Sequence, residues 1–225
     1  HNHWWIRLNP GESFTTVTAA VGSAIGGMDK AWAELTKYRR SIRRKNADDE
    51  NLPVIFNDYM NCLWGDPTTE KEIPLIDKAK EAGCIVVLNA APAIELPDEY
   101  LAKVDILVVN EVEASFYCKE TVDSVDKAKE EIKKLAEKYN NNVIITLGSL
   151  GAVVYENGTI EVIPAKKVDA VETTGAGDSY IGAVSHSIVE GLTLTEACRF
   201  ATKCSAVTVC RCGAQPSMPT LEEVM

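Results

Sequence analysis

Positive charge is the first thing this sequence is short of. Lysine and arginine number 23 against 33 aspartates and glutamates, a formal net charge of −10. Nucleic-acid binding rests on a basic footprint facing the phosphates, so nucleic acid is excluded as the main partner. Long apolar runs are missing too. None approaches the roughly 18 residues needed to cross a bilayer, and no membrane partner is expected. Histidine is scarce: His1, His3 and His186 are too scattered for zinc chemistry. The seven cysteines (Cys62, Cys84, Cys118, Cys198, Cys204, Cys210 and Cys212) include no C-x-x-C pair, and Cys210-x-Cys212 lacks a matching cluster to complete a metal site. Most lie among apolar residues, where a thiol behaves as a small hydrophobe. That pattern suits reduced thiols in a cytoplasm. An initiator Met is absent from His1-Asn-His-Trp-Trp5, and so is the basic-then-apolar order of a secretory signal. The start is that of a processed chain or of one entered part-way.

What is there is the composition of a folded domain. Of 225 residues, 46% are hydrophobic and 25% charged, enough to bury a core without staples. From Thr68 onward the pattern is regular. Thr69 and Glu72 form a T-x-x-E capping box, predicting a helix toward Ala82 that stops at Gly83, with Pro74 inside it. Cys84–Leu88, Val104–Val109 and Val143–Leu147 are continuous apolar runs of strand length, predicted to be buried on both faces. Between the last two, Val125, Ala128, Ile132, Leu135, Ala136 and Tyr139 form the apolar stripe of a helix over 124–139. Strands alternating with helices predict a parallel sheet with right-handed crossovers. Glu156-Asn-Gly158 then signals an antiparallel hairpin between 152–155 and 159–163 at one edge. Two helices follow, one just after Gly177 and one over 195–209. Residues 1–67 are less orderly, with a strand expected at Phe14–Val21, a helix at Asp29–Tyr38 and a short strand at Pro53–Phe56. Lys37–Lys45 holds six basic residues in nine, answered at once by Asp48-Asp-Glu50. A self-compensating solvated loop fits it better than a nucleic-acid patch.

The chemistry concentrates in Glu172-Thr-Thr-Gly-Ala-Gly-Asp178-Ser-Tyr180. Two glycines one residue apart, directly before a helix, let backbone N–H groups converge where the helix dipole is positive. An Asp repels a resting phosphate there. It makes sense as a base that takes a proton from a hydroxyl attacking a phosphoryl group, while the N–H groups stabilise the charge that develops. A glycine-rich helix start with Asp as its cap explains the local pattern equally well.

This segment resembles the C-terminal signature of the ribokinase-like (PfkB) carbohydrate kinases, D-T-x-G-A-G-D-[ST]-F. Asn89-Ala-Ala-Pro-Ala93 with Leu96-Pro-Asp-Glu99, Asn110-Glu-Val-Glu113, Thr146-Leu-Gly-Ser-Leu-Gly151 and Gly213-Ala-Gln-Pro-Ser217 resemble further blocks of that family, in its order. The resemblance runs from about Glu81 to the end. It implies a three-layer α/β/α ribokinase-like fold with a mostly parallel sheet. It implies Asp178 as the base acting on the sugar hydroxyl and Gly175, Ala176 and Gly177 as the anion hole. ATP would lie on Asn110 and on Thr146, Leu147, Gly148, Ser149, Leu150 and Gly151, with Mg²⁺ near Glu113 through water. Asn110 and Glu113 are otherwise residues of a solvated strand–helix loop. Thr202 stands where the family has an adenine-contacting Asn, and Tyr180 where it has Phe. A K⁺ site is implied at Glu172, Thr174, Thr208, Arg211, Gly213 and Ser217, largely through backbone oxygens, with Glu172 in place of the expected Asp.

The family's front end does not appear. There is no early sugar-gripping Asp and no G-G-x-x-x-N, since Gly26-Gly27 is followed by Met-Asp-Lys. Trp64-Gly-Asp66 stands where a sugar-contacting Glu is expected. Gly11-Glu-Ser13 weakly matches a turn that follows the lid, so the chain is expected to begin about a third of the way into the fold. Residues 1–67 then form a poorly matched segment and 68–225 the catalytic core. The expected partners are ATP and a sugar, with the Gly213–Ser217 tail favouring D-ribose over fructose or a nucleoside, and with a homodimer for the full-length form. The competing reading is a non-catalytic remnant that keeps only the nucleotide half.

Overall fold

The computed structural model describes residues 7–13, 21–42 and 68–225. The chain divides into two compact units, 1–54 and 55–225. In the first, helix α1 spans Met28–Ile42 and buries none of its residues. It contains the expected helix and runs past it, so the basic stretch is helical as far as Ile42 rather than a loop, and Lys37 pairs with Glu34 at 2.6 Å. Residues 14–20, 43–45, 53–56 and 64–66 lie outside the described residues.

In the second unit the chain runs α2 (Thr69–Glu81), β1 (Val87–Asn89), α3 (Asp98–Leu101), β2 (Ile106–Asn110), α4 (Glu111–Cys118), α5 (Val125–Tyr139), β3 (Asn142–Thr146), β4 (Ala152–Glu156), β5 (Thr159–Ile163), α6 (Ala176–Val189), α7 (Leu194–Thr208) and α8 (Leu221–Val224). The sheet order is β1-β2-β3-β4-β5. β1, β2 and β3 pair in parallel, and β4 pairs antiparallel with both neighbours, so four of the five strands point the same way. Among the described residues, no helix is long and apolar enough to cross a membrane.

Period-two alternation along the strands makes the three layers. Leu107, Val109, Val143, Ile145 and Val153 face one side, where Ile132, Leu135 and Ala136 of α5 cover them together with residues of α2, α3 and α4. Ile106, Val108, Ile144, Val154 and Ile163 face the other, against α6, α7 and α8. Burying both faces explains why β2 and β3 read as unbroken apolar runs. α5 starts on the Ser124 side chain, which accepts from Lys127 N–H at 3.3 Å, and ends on Asn140 in the left-handed region. The last residue of β4 anchors α7: the Glu156 carboxylate accepts from the N–H groups of Leu194 (2.8 Å) and Thr195 (3.0 Å), satisfying two orphan donors at that helix start.

Three expectations are corrected. The strand placed at Cys84–Leu88 is Val87–Asn89, with Ile85 59% exposed. Among the described residues β2 is its neighbour, and its residues are half-buried or exposed, not fully buried on both faces as expected. α2 starts one residue earlier than the capping box allowed: Thr68 is the N-cap, and Glu72 instead accepts the Tyr100 hydroxyl. Cys84, Cys210 and Cys212 are exposed, while Cys198 and Cys204 are core residues.

Gly151 closes the turn between β3 and β4 with φ +104° and ψ −135°, and a Cβ there would lie 2.0 Å from the Ile163 carbonyl oxygen. Gly151→Ala therefore combines backbone strain with a clash that no side chain can relieve. We expect it to cost about 2–5 kcal/mol in chemical denaturation; a loss below half of that would contradict this packing.

Candidate active site

Carried one residue beyond the apolar core, the same alternation gives the site its floor. After Val87, Val108 and Ile144, the next positions on the α6 side of the sheet are Asn89, Asn110 and Thr146, all at the C-terminal ends of parallel strands. Ligands of open α/β sheets bind at that end, beyond the carboxyl termini of the strands. The three polar residues line a cleft of ≈ 210 Å³ with Glu113, Gly177, Asp178, Tyr180 and Ile181.

The roof is the first turn of α6. Gly175 caps the helix with φ +79°, a conformation glycine adopts without Cβ strain. Ser179 N–H donates to Gly175 O at 2.9 Å, and Ala176 N–H donates to Thr173 O at 3.1 Å. The N–H groups of Gly177 and Asp178 have no acceptor among the described residues. Two unsatisfied donors at the positive end of a fourteen-residue helix are groups that can receive an anion, with an exposed Asp178 carboxylate on the same turn. Ala176, expected in the anion hole, has its N–H engaged elsewhere.

This turn is held from α7. Ser205 Oγ donates to Ala176 O at 3.0 Å. Thr208 Oγ1 lies 2.9 Å from Ser179 Oγ and 3.1 Å from Cys204 O. Thr208 has one proton and the carbonyl can only accept, so Thr208 donates to Cys204 O and Ser179 donates to Thr208. Thr208 is fully buried, and Ser179 is 7% exposed.

The segments expected to hold K⁺ meet beside that tie. Val171 and Glu172 N–H donate to Val209 O at 2.7 and 3.1 Å, and Glu172 Oε2 accepts from Gly213 N–H at 2.9 Å. The Gly213 N–H and the Thr174 hydroxyl hold the Glu172 carboxyl below its ordinary range. Thr208 O accepts from Arg211 N–H at 3.1 Å, which leaves one lone pair. Ser217 is buried with its hydroxyl on Ala214 O at 2.6 Å. The Arg211 guanidinium turns away to Glu223. Anionic and carbonyl oxygens from two segments thus stand close together, a donor set that fits a weakly coordinated monovalent cation.

Asn110 and Glu113 are less free than a solvated loop would make them. Asn110 Oδ1 accepts from the N–H groups of Val112 and Glu113, both at 2.9 Å, and Glu113 Oε2 accepts from Asn110 N–H at 2.8 Å. The pair is the capping box of α4. Burial pushes the Glu113 carboxyl upward against the pull of the Asn110 N–H. Of the 146–151 loop, only Thr146 lines the cleft; Leu147 is buried, and Gly148–Leu150 form a single 3₁₀ turn that points outward. Thr202 lies outside the lining and donates to Cys198 O at 2.9 Å. Sequence reasoning gave no role to Asn89 or Ser205. The alternation of β1 contained the signal for Asn89, whereas nothing in the sequence marks Ser205.

Residues 68–221 match the model of the pfkB family carbohydrate kinases. The chain belongs to that family. Among similar pfkB-family proteins, the ribokinase of Schizosaccharomyces pombe is 42% identical over 165 residues, 68% of this chain and 51% of that protein. The ribokinase of Lactococcus lactis is 37% identical over 203 residues, 85% of this chain and 65% of that protein. Thermotoga maritima ribokinase superposes with a TM-score of 0.59 at 34% identity, covering 67% of this chain and 50% of its own. Arabidopsis thaliana ribokinase complexed with ribose and ATP gives 0.62 at 30% identity, covering 68% and 50%. This chain therefore spans about half to two thirds of the length of these relatives.

Where the pfkB signature has Phe, Tyr180 is 7% exposed, and its hydroxyl makes no well-formed hydrogen bond among the described residues, although Cys198 and Thr202 lie beside it. A buried hydroxyl without a partner costs stability. Tyr180→Phe is expected to stabilise the protein by about 1 kcal/mol, raising the melting temperature by roughly 2–4 °C. A lower melting temperature would show that the hydroxyl has a partner. The depressed Glu172 carboxyl makes stability depend on pH. Its contribution is present above the ordinary value of 4.5 and is lost as pH falls through the lower folded value. Glu172→Gln should flatten the acid limb of the stability–pH profile, and an unchanged limb would remove Glu172 from the turn.

Proposed function

We propose that this chain carries the nucleotide-binding and phosphoryl-transfer part of an ATP-dependent sugar kinase whose acceptor is D-ribose. The observation that carries the reading is the juxtaposition of the free Gly177 and Asp178 N–H groups with the Asp178 carboxylate over the polar strand ends. Identity to ribokinases and the Gly213–Ser217 tail support ribose as the acceptor.

The geometry performs the transfer by positioning and electrostatics. Asp178 accepts the proton of the attacking sugar hydroxyl as its oxygen bonds to the γ-phosphorus of ATP, while the bond from that phosphorus to the β,γ-bridging oxygen breaks and ADP leaves with the electron pair. The Gly177 and Asp178 N–H groups, reinforced by the α6 dipole, offset charge on the phosphoryl oxygens. Those two amides cannot rearrange during the reaction, because Ser205 and the Ser179–Thr208 pair fix their turn. Asn110 keeps its Nδ2 protons for the nucleotide while Oδ1 caps α4. Glu113 would hold Mg²⁺ through water, as one carboxylate beside phosphates suits that ion, and the ion would neutralise phosphate charge. The Glu172–Ser217 oxygens would hold K⁺, whose charge beside the anion site favours a bound phosphate.

A coupled ADP-release assay with D-ribose, run beside nucleotide titration, tests the proposal. MgATP should bind both the wild-type chain and Asp178→Ala. Ribose-dependent ADP release should fall by about 10²- to 10⁴-fold in Asp178→Ala. Because the chain spans only part of its relatives, slow wild-type turnover is expected. Turnover that survives Asp178→Ala would contradict the assignment of the base. Absence of MgATP binding would contradict the reading as a whole.

A further inference from the structure

The charge inventory of the cleft poses a problem for any phosphate-bearing ligand. Among the described residues its lining side chains include two carboxylates, Asp178 and Glu113, and no lysine or arginine. The donors these residues offer a phosphoryl group are neutral. The Gly177 and Asp178 N–H groups supply them on the α6 side. On the sheet side Asn110 has its oxygen committed to capping, so only its Nδ2 can serve.

Asn89 is the remaining carboxamide. It is the last residue of β1, in register with Val108 and turned by strand alternation toward α6. Its backbone is fixed on both sides: Ala90 N–H donates to Val108 O at 3.0 Å, and Ala91 N–H donates back to Asn89 O at 2.9 Å, closing a three-residue turn. Its side chain has no hydrogen-bond partner among the described residues and lines the cleft that Asp178 lines. The sheet thus places its backbone, and its exposed side chain keeps every hydrogen-bonding position open for a ligand.

We propose that Asn89 is a phosphoryl-binding residue. Its Nδ2–H donates to the terminal phosphoryl group of the nucleotide, from the sheet side, opposite the Gly177 and Asp178 N–H groups. The assignment rests on the kinase reading above and adds to it a second wall that grips the group being transferred. Because the contact is to the terminal phosphoryl, it distinguishes a nucleoside triphosphate from a diphosphate.

Isothermal titration of the whole chain with Mg·AMP-PNP and with MgADP tests it. Asn89→Ala should weaken Mg·AMP-PNP by about tenfold or more, the value of a hydrogen bond to a charged oxygen. MgADP affinity should stay within about twofold. Asn89→Asp keeps the shape but replaces donors with charge, and should weaken Mg·AMP-PNP further while again sparing MgADP. It also supplies the comparison if Asn89→Ala fails to fold. Equal loss for both nucleotides, or no loss for either, overturns the assignment and leaves the kinase reading intact. A wild-type chain that binds neither nucleotide overturns both.

Discussion

Two serine hydroxyls fix the first turn of α6, and the site depends on where that turn is held. Ser205 reaches across from α7 to the Ala176 carbonyl, and Ser179 reaches the opposite way to Thr208. Both bonds lie at the seam where α6 and α7 pack through small side chains, Ala183 on one helix and Ala197 and Ala201 on the other. Small residues let the two helices approach closely enough for one hydroxyl-to-carbonyl and one hydroxyl-to-hydroxyl bond to span them. With the seam closed, Gly177 and Asp178 line one cleft with Asn89, Asn110 and Thr146 at the ends of β1, β2 and β3. If it opened, the donors would remain but would no longer share that cleft.

The same seam links the anion site to the expected cation site. Thr208 receives Ser179 through its side chain, and its carbonyl lies in the closing turn with Val209, which binds the Val171 and Glu172 N–H groups. The Glu172 carboxylate then holds Gly213. A charge placed among those oxygens would therefore act on the α6 turn through one buried threonine and not through a flexible loop. Low dielectric around Thr208, which is fully buried, strengthens each of these bonds relative to water.

Much of this was legible in the sequence. β2, β3, α5 and the 152–163 hairpin followed from periodicity, because each has a neighbour on every side that its pattern requires. β1 departs from its pattern because an apolar run of strand length does not say how much of it the sheet takes up; among the described residues only Val87–Asn89 pair, and Ile85 is exposed. Asp178, Gly177, Asn110, Glu113 and Thr146 were each picked out, and the structure gathers them into one cleft. Asn110-x-x-Glu113 also matches a capping box, and the structure makes it one, so its fixed geometry is legible in the sequence. Ser205 was not visible. A serine inside a helix carries no mark until the partner helix places a carbonyl beside it. The orphan hydroxyl of Tyr180 was hidden for the same reason, since an aromatic at a core position looks the same whether or not its oxygen finds a partner.

What the family resemblance added was roles, and what the structure added was direction. Glycine spacing alone left an anion hole and a simple helix cap equally good. Gly177 and Asp178 line one cleft with the polar strand ends, an arrangement a simple helix cap does not require. The central claim is that a phosphoryl group sits there. A crystal structure of the chain with Mg·AMP-PNP tests it most directly. The account predicts terminal phosphoryl oxygens about 2.9 Å from the Gly177 and Asp178 nitrogens, over the ends of β1–β3. A nucleotide bound with its phosphates elsewhere, and those two amides still unpaired, would contradict it.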